Sequence, residues 1–304
     1  MSSQIAASPS LATPSLRATI ELLKPITWFA PMWAFACGTV ASGASIEERW
    51  PYLLAGMLLA GPLICGTSQA VNDWFDRHVD AINEPNRVIP SGRMPGQWGL
   101  RIAIINTLLS IVFAAFLGWW VLAAAIVGLV LAWAYSAPPL RLKRNGWMGN
   151  AAVGLCYEGL PWFTAAAAAI GAFPGMPTVA VALLYSIGAH GIMTLNDFKS
   201  VEGDRRMGLD SLPVLLGEGR AARLACWVMA VPQLAVIGLL LYWGFPYHAG
   251  AVGLLLLLQL GCMARLLRDP LRFASWYNAT GTTLYVLGML VTAFALRSLV
   301  GGAA

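Results

Sequence analysis

The stretch WGLRIAIINTLLSIVFAAFLGWWVLAAAIVGLVLAWAYS, Trp98–Ser136, decides the fold. After Arg101 it carries no charge, and it is long enough to cross a roughly 30 Å hydrocarbon layer twice, at about 20 residues per crossing. Its two halves, 97–117 and 119–136, are joined so tightly around Trp119 and Trp120 that they form a hairpin of membrane helices.

The rest of the chain repeats this pattern. Of its 304 residues 58% are hydrophobic and 11% charged, whereas soluble domains carry about 25% charged residues. Breaks at Gly, Pro and charge clusters place spans near 25–44, 52–73, 97–117, 119–136, 147–170, 178–197, 221–243, 248–267 and 275–298. The expected fold class is therefore all-α, a polytopic membrane bundle of about nine transmembrane helices. Residues 1–23 read as an N-terminal cytoplasmic segment and 24–304 as one transmembrane domain. The leader is Ser-, Ala- and Pro-rich, with Arg17 its one basic residue before Lys24. It has neither the apolar core of a signal peptide nor the Arg-rich length of a transit peptide, so a bacterial inner membrane is expected. Cys37, Cys65, Cys156, Cys226 and Cys262 lie scattered in apolar segments, without metal-ligand spacing, and read as packing residues.

Orientation follows from the basic residues in short loops. Arg77, Arg87 and Arg93 follow the second span, Arg141, Lys143 and Arg144 the fourth, Lys199, Arg205 and Arg206 the sixth, and Arg265, Arg268 and Arg272 the eighth. All four loops fall on one side, which becomes the cytoplasmic side and carries the N-terminus. The net charge of +5 is concentrated there, so it belongs to topology and to anionic substrates, and no nucleic-acid partner is expected.

Two of these loops begin with the same words. NDWFDRHVD, Asn72–Asp80, and NDFKSVEGD, Asn196–Asp204, share Asn, Asp and Asp in register, with Ser200 standing where Asp76 stands. Each copy closes an even-numbered span, an arrangement that fits two half-sites facing a common cavity in a duplicated bundle. On a continuous helix Asn72, Asp73, Asp76 and Asp80 fall within an arc of roughly 100°. The second copy offers Asn196, Asp197, Ser200 and Asp204 in the same arc, with Glu202 off it. Carboxylates crowded this way repel one another unless a cation neutralises them, and hard oxygen ligands select Mg2+, which also binds phosphates. A lone terminal Asp is ordinarily a solvated helix end, but ionisable residues at membrane depth are costly and the pattern occurs twice. Arg77, Arg87, Tyr135, Arg141, Lys143 and Lys199 beside the acids argue for a diphosphate; the acids alone would also suit an ion transporter.

The segment NDWFDRHVDAINEPNRVIPSGRMPG resembles the first aspartate motif of the UbiA superfamily of intramembrane prenyltransferases. NDFKSVEGDRRMGLDSLPVLLG resembles its second, and YSAPPLRLKRNGWMGN its Tyr/Lys-bearing loop. INEPNR, YEGLPWFTAA and NDFKSVEGDRRMG are similar to the wording of chlorophyll and bacteriochlorophyll synthases, and the likeness covers nearly the whole chain. It implies a UbiA-type prenyltransferase fold and transfer of a geranylgeranyl or phytyl group from its diphosphate to the propionate of bacteriochlorophyllide a, in bacteriochlorophyll biosynthesis. The alternatives are a chlorophyll synthase, a quinone-precursor prenyltransferase or, further off, a transporter.

Carried over by motif position, the resemblance implies Asn72, Asp73, Asp76, Asp80, Asp197 and Asp204 as ligands of Mg2+. It implies Asn72, Arg87, Tyr135, Lys143 and Lys199 at the diphosphate, with Arg77 and Arg141 beside them, and Asp73, Asp76, Asp197 and Lys143 as the catalytic set. Ser200 departs from the pattern and leaves the second cluster with less charge. Two further residues are candidates for the pigment. Glu158, in YEGLPW beside Pro161, is an intramembrane acid without a sequence partner, and it either lines the cavity or bridges helices. His190 lies seven residues before Asp197 on the same helical face, and either ligates the pigment's magnesium or packs with a carbonyl. The Trp residues read as interface anchors and packing. The expected partners are the prenyl diphosphate, the pigment acid, the lipid bilayer and other pigment-biosynthesis proteins, in a bacterial inner (intracytoplasmic) membrane.

Overall fold

The computed structural model describes residues 13–301, so 1–12 of the expected N-terminal segment 1–23 lie outside the described residues, as do 302–304. Among the described residues the chain is helical throughout, with one isolated bridge, Asn145 to Asp210, and no strand.

Helix α1 (Leu16–Leu23) precedes the first span. Ser15 caps it by accepting from the Ala18 N–H, a bond that satisfies one of the orphan donors of a helix start. Ala18 and Leu22 are buried with Ala70, Val71 and Ala103, while Leu16 and Ile20 stay exposed. Such two-faced helices lie in the plane of a membrane interface. The loop after the second span holds α1 in place, because the Arg93 guanidinium meets Glu21 at 2.5 Å and 2.8 Å.

A 3-10 turn, Pro25–Trp28, leads into α2 (Phe29–Ala41). The other spans are α3 (Ile46–Asn83), α4 (Trp98–Leu117), α5 (Trp119–Ser136), α6 (Gly146–Ile170) and α7 (Met176–Lys199). After two short helices, α8 (Val201–Met207) and α9 (Leu212–Leu216), come α10 (Glu218–Tyr242), α11 (Pro246–Leu266) and α12 (Pro270–Gly301). Eight of these are long and apolar enough to cross a membrane. Helix α2 with its leading turn stands where the first span, 25–44, was expected but is shorter than these eight, so the described residues carry eight such helices against the about nine expected from hydropathy. The chain is a multi-pass membrane protein, and side chains such as Phe116 (82% exposed) and Leu257 (66% exposed) face outward, where hydrocarbon replaces water as solvent.

Successive helices pack on one another: α3 on α4, α6 on α7, α7 on α10, α10 on α11 and α11 on α12. Helix α12 then returns against α2 and closes the bundle. Without a hydrophobic drive between helices in lipid, close backbone approach supplies the adhesion. A Cβ at Gly38 would stand 2.2 Å from the Trp162 carbonyl oxygen, and one at Gly191 2.6 Å from that of Ala225.

Two helices carry π-helical turns, Leu59–Cys65 in α3 and Leu155–Gly159 in α6. Pro62 lies within the first and Pro161 just after the second; each lacks the N–H that would continue the regular ladder. Wide turns of this kind re-aim side chains and recur at functional sites.

The two aspartate copies end differently. Helix α3 runs unbroken through Asp80 to Asn83, so the first stripe is the single surface expected. The second copy does not occupy one arc. It passes from α7 into a 3-10 turn at Asp197–Lys199, breaks at Ser200 (φ −119°) and restarts as α8. Ser200 donates to the Asp197 carbonyl and to Asp204 Oδ2; a serine hydroxyl that bonds locally competes with helix continuation.

Candidate active site

The site is assembled at one end of the bundle, from the last turns of α3, the loop between α5 and α6, and the break after α7. Asp73 is almost fully buried. It receives the Lys24 ammonium at 2.6 Å and an Arg87 nitrogen at 3.5 Å. Arg87 also holds Asp80 at 2.9 Å and Glu84 at 2.7 Å. Burial works against the guanidinium charge, but Glu84, Asp80 and Asp73 outweigh it and hold its pKa above the usual arginine value. Asp76 pairs with Lys143 and, at 3.3 Å, with Arg141. Burial is the largest influence on Lys143 and pushes its ammonium below the usual lysine value, against the pull of Asp76. Asn72 donates to Asp76 and to Ser136.

Among the described residues no cation pairs with the second cluster. Asp197 accepts from the Asn150 amide at 3.0 Å, and Asp204 from Ser200 at 3.0 Å. These residues line a small polar cavity of about 160 Å³ whose other walls include Tyr135 and Lys143. Lys143 thus touches Asp76 of the first copy while facing the acids of the second.

Tyr135 also lines a second, largely apolar cavity of about 190 Å³ between α3, α5 and α6, together with Asn72, Gln69, Leu131, Tyr157 and Met193. The two π turns contribute Ala60, Ile64 and Cys65 on one side and Cys156 and Tyr157 on the other. An apolar chamber therefore shares Tyr135 with a polar cavity of Lys143, Asp197 and Asp204, an arrangement suited to a ligand with a hydrocarbon tail and an anionic head.

Most of the sequence candidates meet here. Asn72, Asp73, Asp76, Asp80, Arg87, Arg141 and Lys143 form the first half, and Tyr135, Asp197 and Asp204 the second. Three residues stand apart. Arg77 turns back on its own helix, donating to the Trp74 carbonyl and stacking 4.2 Å above the Trp74 ring. Lys199 donates to Asn196 on the exposed side. His190 packs its ring 5.9 Å from Trp147 and lines none of the cavities described here. Glu202 is exposed and pairs with Arg205 and Arg206, off the site as expected. Lys24 and Asn150 complete the site from outside the aspartate motifs. Lys24 heads the first span immediately before Pro25, and Asn150 closes the string YSAPPLRLKRNGWMGN.

No three Asp, Glu, His or Cys side chains converge as a ready metal cage among the described residues. The donor set is instead hard oxygen, with three cation-held carboxylates in the first copy, Asp73, Asp76 and Asp80, and two in the second, Asp197 and Asp204. Such a set suits Mg2+, which keeps its waters and completes its shell with phosphate oxygens.

Residues 30–282 match the UbiA prenyltransferase family. The bacteriochlorophyll synthase 33 kDa chain of Cereibacter sphaeroides is 59% identical over 95% of this chain and 95% of its own. The chloroplastic chlorophyll synthase of Oryza sativa is 39% identical over 91% of this chain and 76% of its own. Among solved structures, a UbiA homolog from Archaeoglobus fulgidus bound to GPP and Mg2+ shares the fold, with a TM-score of 0.68 over 92% of this chain and 99% of its own at 18% identity.

Proposed function

The chain belongs to the UbiA prenyltransferase family, and on that premise we propose that it is a bacteriochlorophyll synthase. It transfers a geranylgeranyl or phytyl group from the diphosphate to the propionate of bacteriochlorophyllide a and releases diphosphate. The observation that carries this reading is the continuity at Tyr135, which lines both the apolar chamber and the polar cavity of Lys143, Asp197 and Asp204. The near full-length likeness to the Cereibacter sphaeroides protein chooses the acceptor.

In this reading the prenyl tail lies in the apolar chamber, where burial is worth about 0.8 kcal/mol per methylene. The diphosphate meets Lys143, Arg141, Arg87 and Lys24, with Tyr135 and Asn72 as hydrogen-bonding neighbours. Asp73, Asp76 and Asp80 on one side, and Asp197 and Asp204 on the other, would hold Mg2+. Bound there, Mg2+ neutralises charge that builds on the leaving diphosphate. The allylic C–O bond breaks toward a delocalised cation, and the propionate oxygen captures C1. A propionate is already ionised at neutral pH, so this step needs no general base. Surrounding apolar walls keep water from the cation. Residues 24–304 act as one domain, and the N-terminus and site loops face the cytoplasm across a bacterial inner membrane.

The test is detergent-purified protein supplied with geranylgeranyl diphosphate, Mg2+ and one acceptor at a time. Bacteriochlorophyllide a should be esterified faster than chlorophyllide a, and a hydroxybenzoate ring should remain unprenylated. Prenylation of the ring alone would overturn the reading.

A further inference from the structure

A third cavity, of about 240 Å³, lies on the other side of the same π turn, between α2, α6, α7 and α12. It shares a wall with the donor chamber, because Val153, Tyr157 and Met193 line both. The π turn places Cys156 in the donor chamber and Glu158 in this one.

Its chemistry is unlike that of the diphosphate end. No Lys or Arg lines it. Glu158 is 4% exposed, and its Oε2 finds no hydrogen-bond partner among the described residues. On the facing helix α12, Asn278 and Thr282 stand one turn apart, and the buried Asn278 Oδ1 and Thr282 Oγ1 are likewise unpartnered. Buried polar atoms are nearly always satisfied, so three orphans around one cavity mark a place where a ligand completes them. The rim carries Phe29 and Trp33, stacked with centroids 6.0 Å apart. Phe29 is 64% exposed and forms the outer edge of the cavity, while Trp33 is fixed by its bond to the Val286 carbonyl.

We propose that this cavity is the acceptor port, in which Glu158, as the neutral acid, and the Thr282 hydroxyl donate to the carbonyl-bearing edge of a planar tetrapyrrole that enters from the membrane past Phe29 and Trp33, with the Asn278 amide beside them. This rests on the tetrapyrrole-esterifying reading above. A cavity lined without cations holds neither a diphosphate nor, at its Glu158 end, the ionised propionate. That carboxylate is therefore directed away from Glu158, toward the Tyr157 and Met193 wall behind which the prenyl C1 lies. Bacteriochlorophyllide a carries an acetyl oxygen where chlorophyllide a has a vinyl group, so groups that bond ring carbonyls also discriminate between the two.

The experiment titrates detergent-purified protein with bacteriochlorophyllide a in the absence of donor, followed by pigment fluorescence and by the resonance Raman carbonyl stretches. Wild type, Glu158→Met, Thr282→Val and, as a donor-side control, Lys143→Ala are compared, with geranylgeranyl diphosphate KM measured in parallel. The expected result is pigment binding weakened about fivefold to tenfold in each of the first two variants, as for the loss of one buried hydrogen bond. A carbonyl stretch should return toward its free frequency, donor KM should hold, and Lys143→Ala should bind pigment as wild type does. If wild type esterifies the pigment while both cavity variants bind it unchanged, the port assignment falls and the reaction stands. If the two variants lose donor affinity instead, the cavity belongs to the donor and the proposal is overturned. If wild type binds the pigment with the carbonyl signature yet esterifies only other acceptors, the reaction falls and the port survives as a pigment site.

Discussion

The Lys24 ammonium lies 2.6 Å from the Asp73 carboxylate, joining the start of the first span to the acidic stripe across 49 positions of chain. Asp73 is 3% exposed at its side chain, and a buried charge that loses its partner is strongly destabilising. Replacing Lys24 by Met should raise the donor KM about tenfold, the magnitude of one charge-assisted hydrogen bond of about 1.5 kcal/mol. It should also lower the thermal midpoint measured without metal. An unchanged donor KM would confine Lys24 to a structural role.

Asp76 and Glu202 separate the working acids from the solvated ones. Asp76 contacts Asn72, Arg141 and Lys143 inside the site, whereas Glu202 is exposed and pairs with arginines of its own helix. Asp76→Asn should cut the rate about a hundredfold, near 3 kcal/mol of lost transition-state stabilisation. Glu202→Gln should fall within about twofold of wild type, as exposed ion pairs contribute little. The comparison uses saturating Mg2+ and matched membrane expression. A dead Glu202 variant beside an active Asp76 variant would reverse the assignment.

Lys143 faces both half-sites and lines no part of the port. Lys143→Ala should therefore raise the Michaelis constant for the prenyl diphosphate by an order of magnitude or so, through the lost charge-assisted contact. The constant for the pigment should barely move. The opposite pattern would place Lys143 with the acceptor.

Activity should vanish in EDTA and return on adding Mg2+. Asp73, Asp76 and Asp80 pair with Lys24, Arg87, Arg141 and Lys143, and a divalent ion that takes up these carboxylates frees the cations for the incoming diphosphate. Calcium should restore less, since its longer and more variable oxygen bonds fit the small polar cavity poorly. Full turnover in metal-free buffer would remove the metal from the mechanism.

Gly191 packs against the Ala225 carbonyl, where a Cβ would stand 2.6 Å away. Gly191→Val should force α7 from α10 and lower the detergent-solubilised melting temperature by several degrees, the effect of about 1–3 kcal/mol of overpacking. A circular-dichroism melt that superimposes on wild type would show that the interface yields freely.

The membrane-spanning helices and the doubled acidic motif were legible in the amino-acid sequence because each is local. A span needs only about 20 apolar residues, and a stripe needs only helical spacing such as that of Asp73, Asp76 and Asp80. The break at Ser200 was not legible, since Ser200 acts by bonding the Asp197 carbonyl and Asp204 in the folded turn. Tertiary structure alone decided which cation each acid holds. Lys24 reaches Asp73, and Arg141 reaches Asp76 across 65 positions, through helix packing that leaves no mark on neighbouring residues. The same holds for Glu158 and His190, two isolated polar residues that hydropathy treats alike. Packing turned Glu158 into a cavity with orphaned Asn278 and Thr282 atoms and set His190 against Trp147, because the π turn and the helix crossings fix where a side chain points.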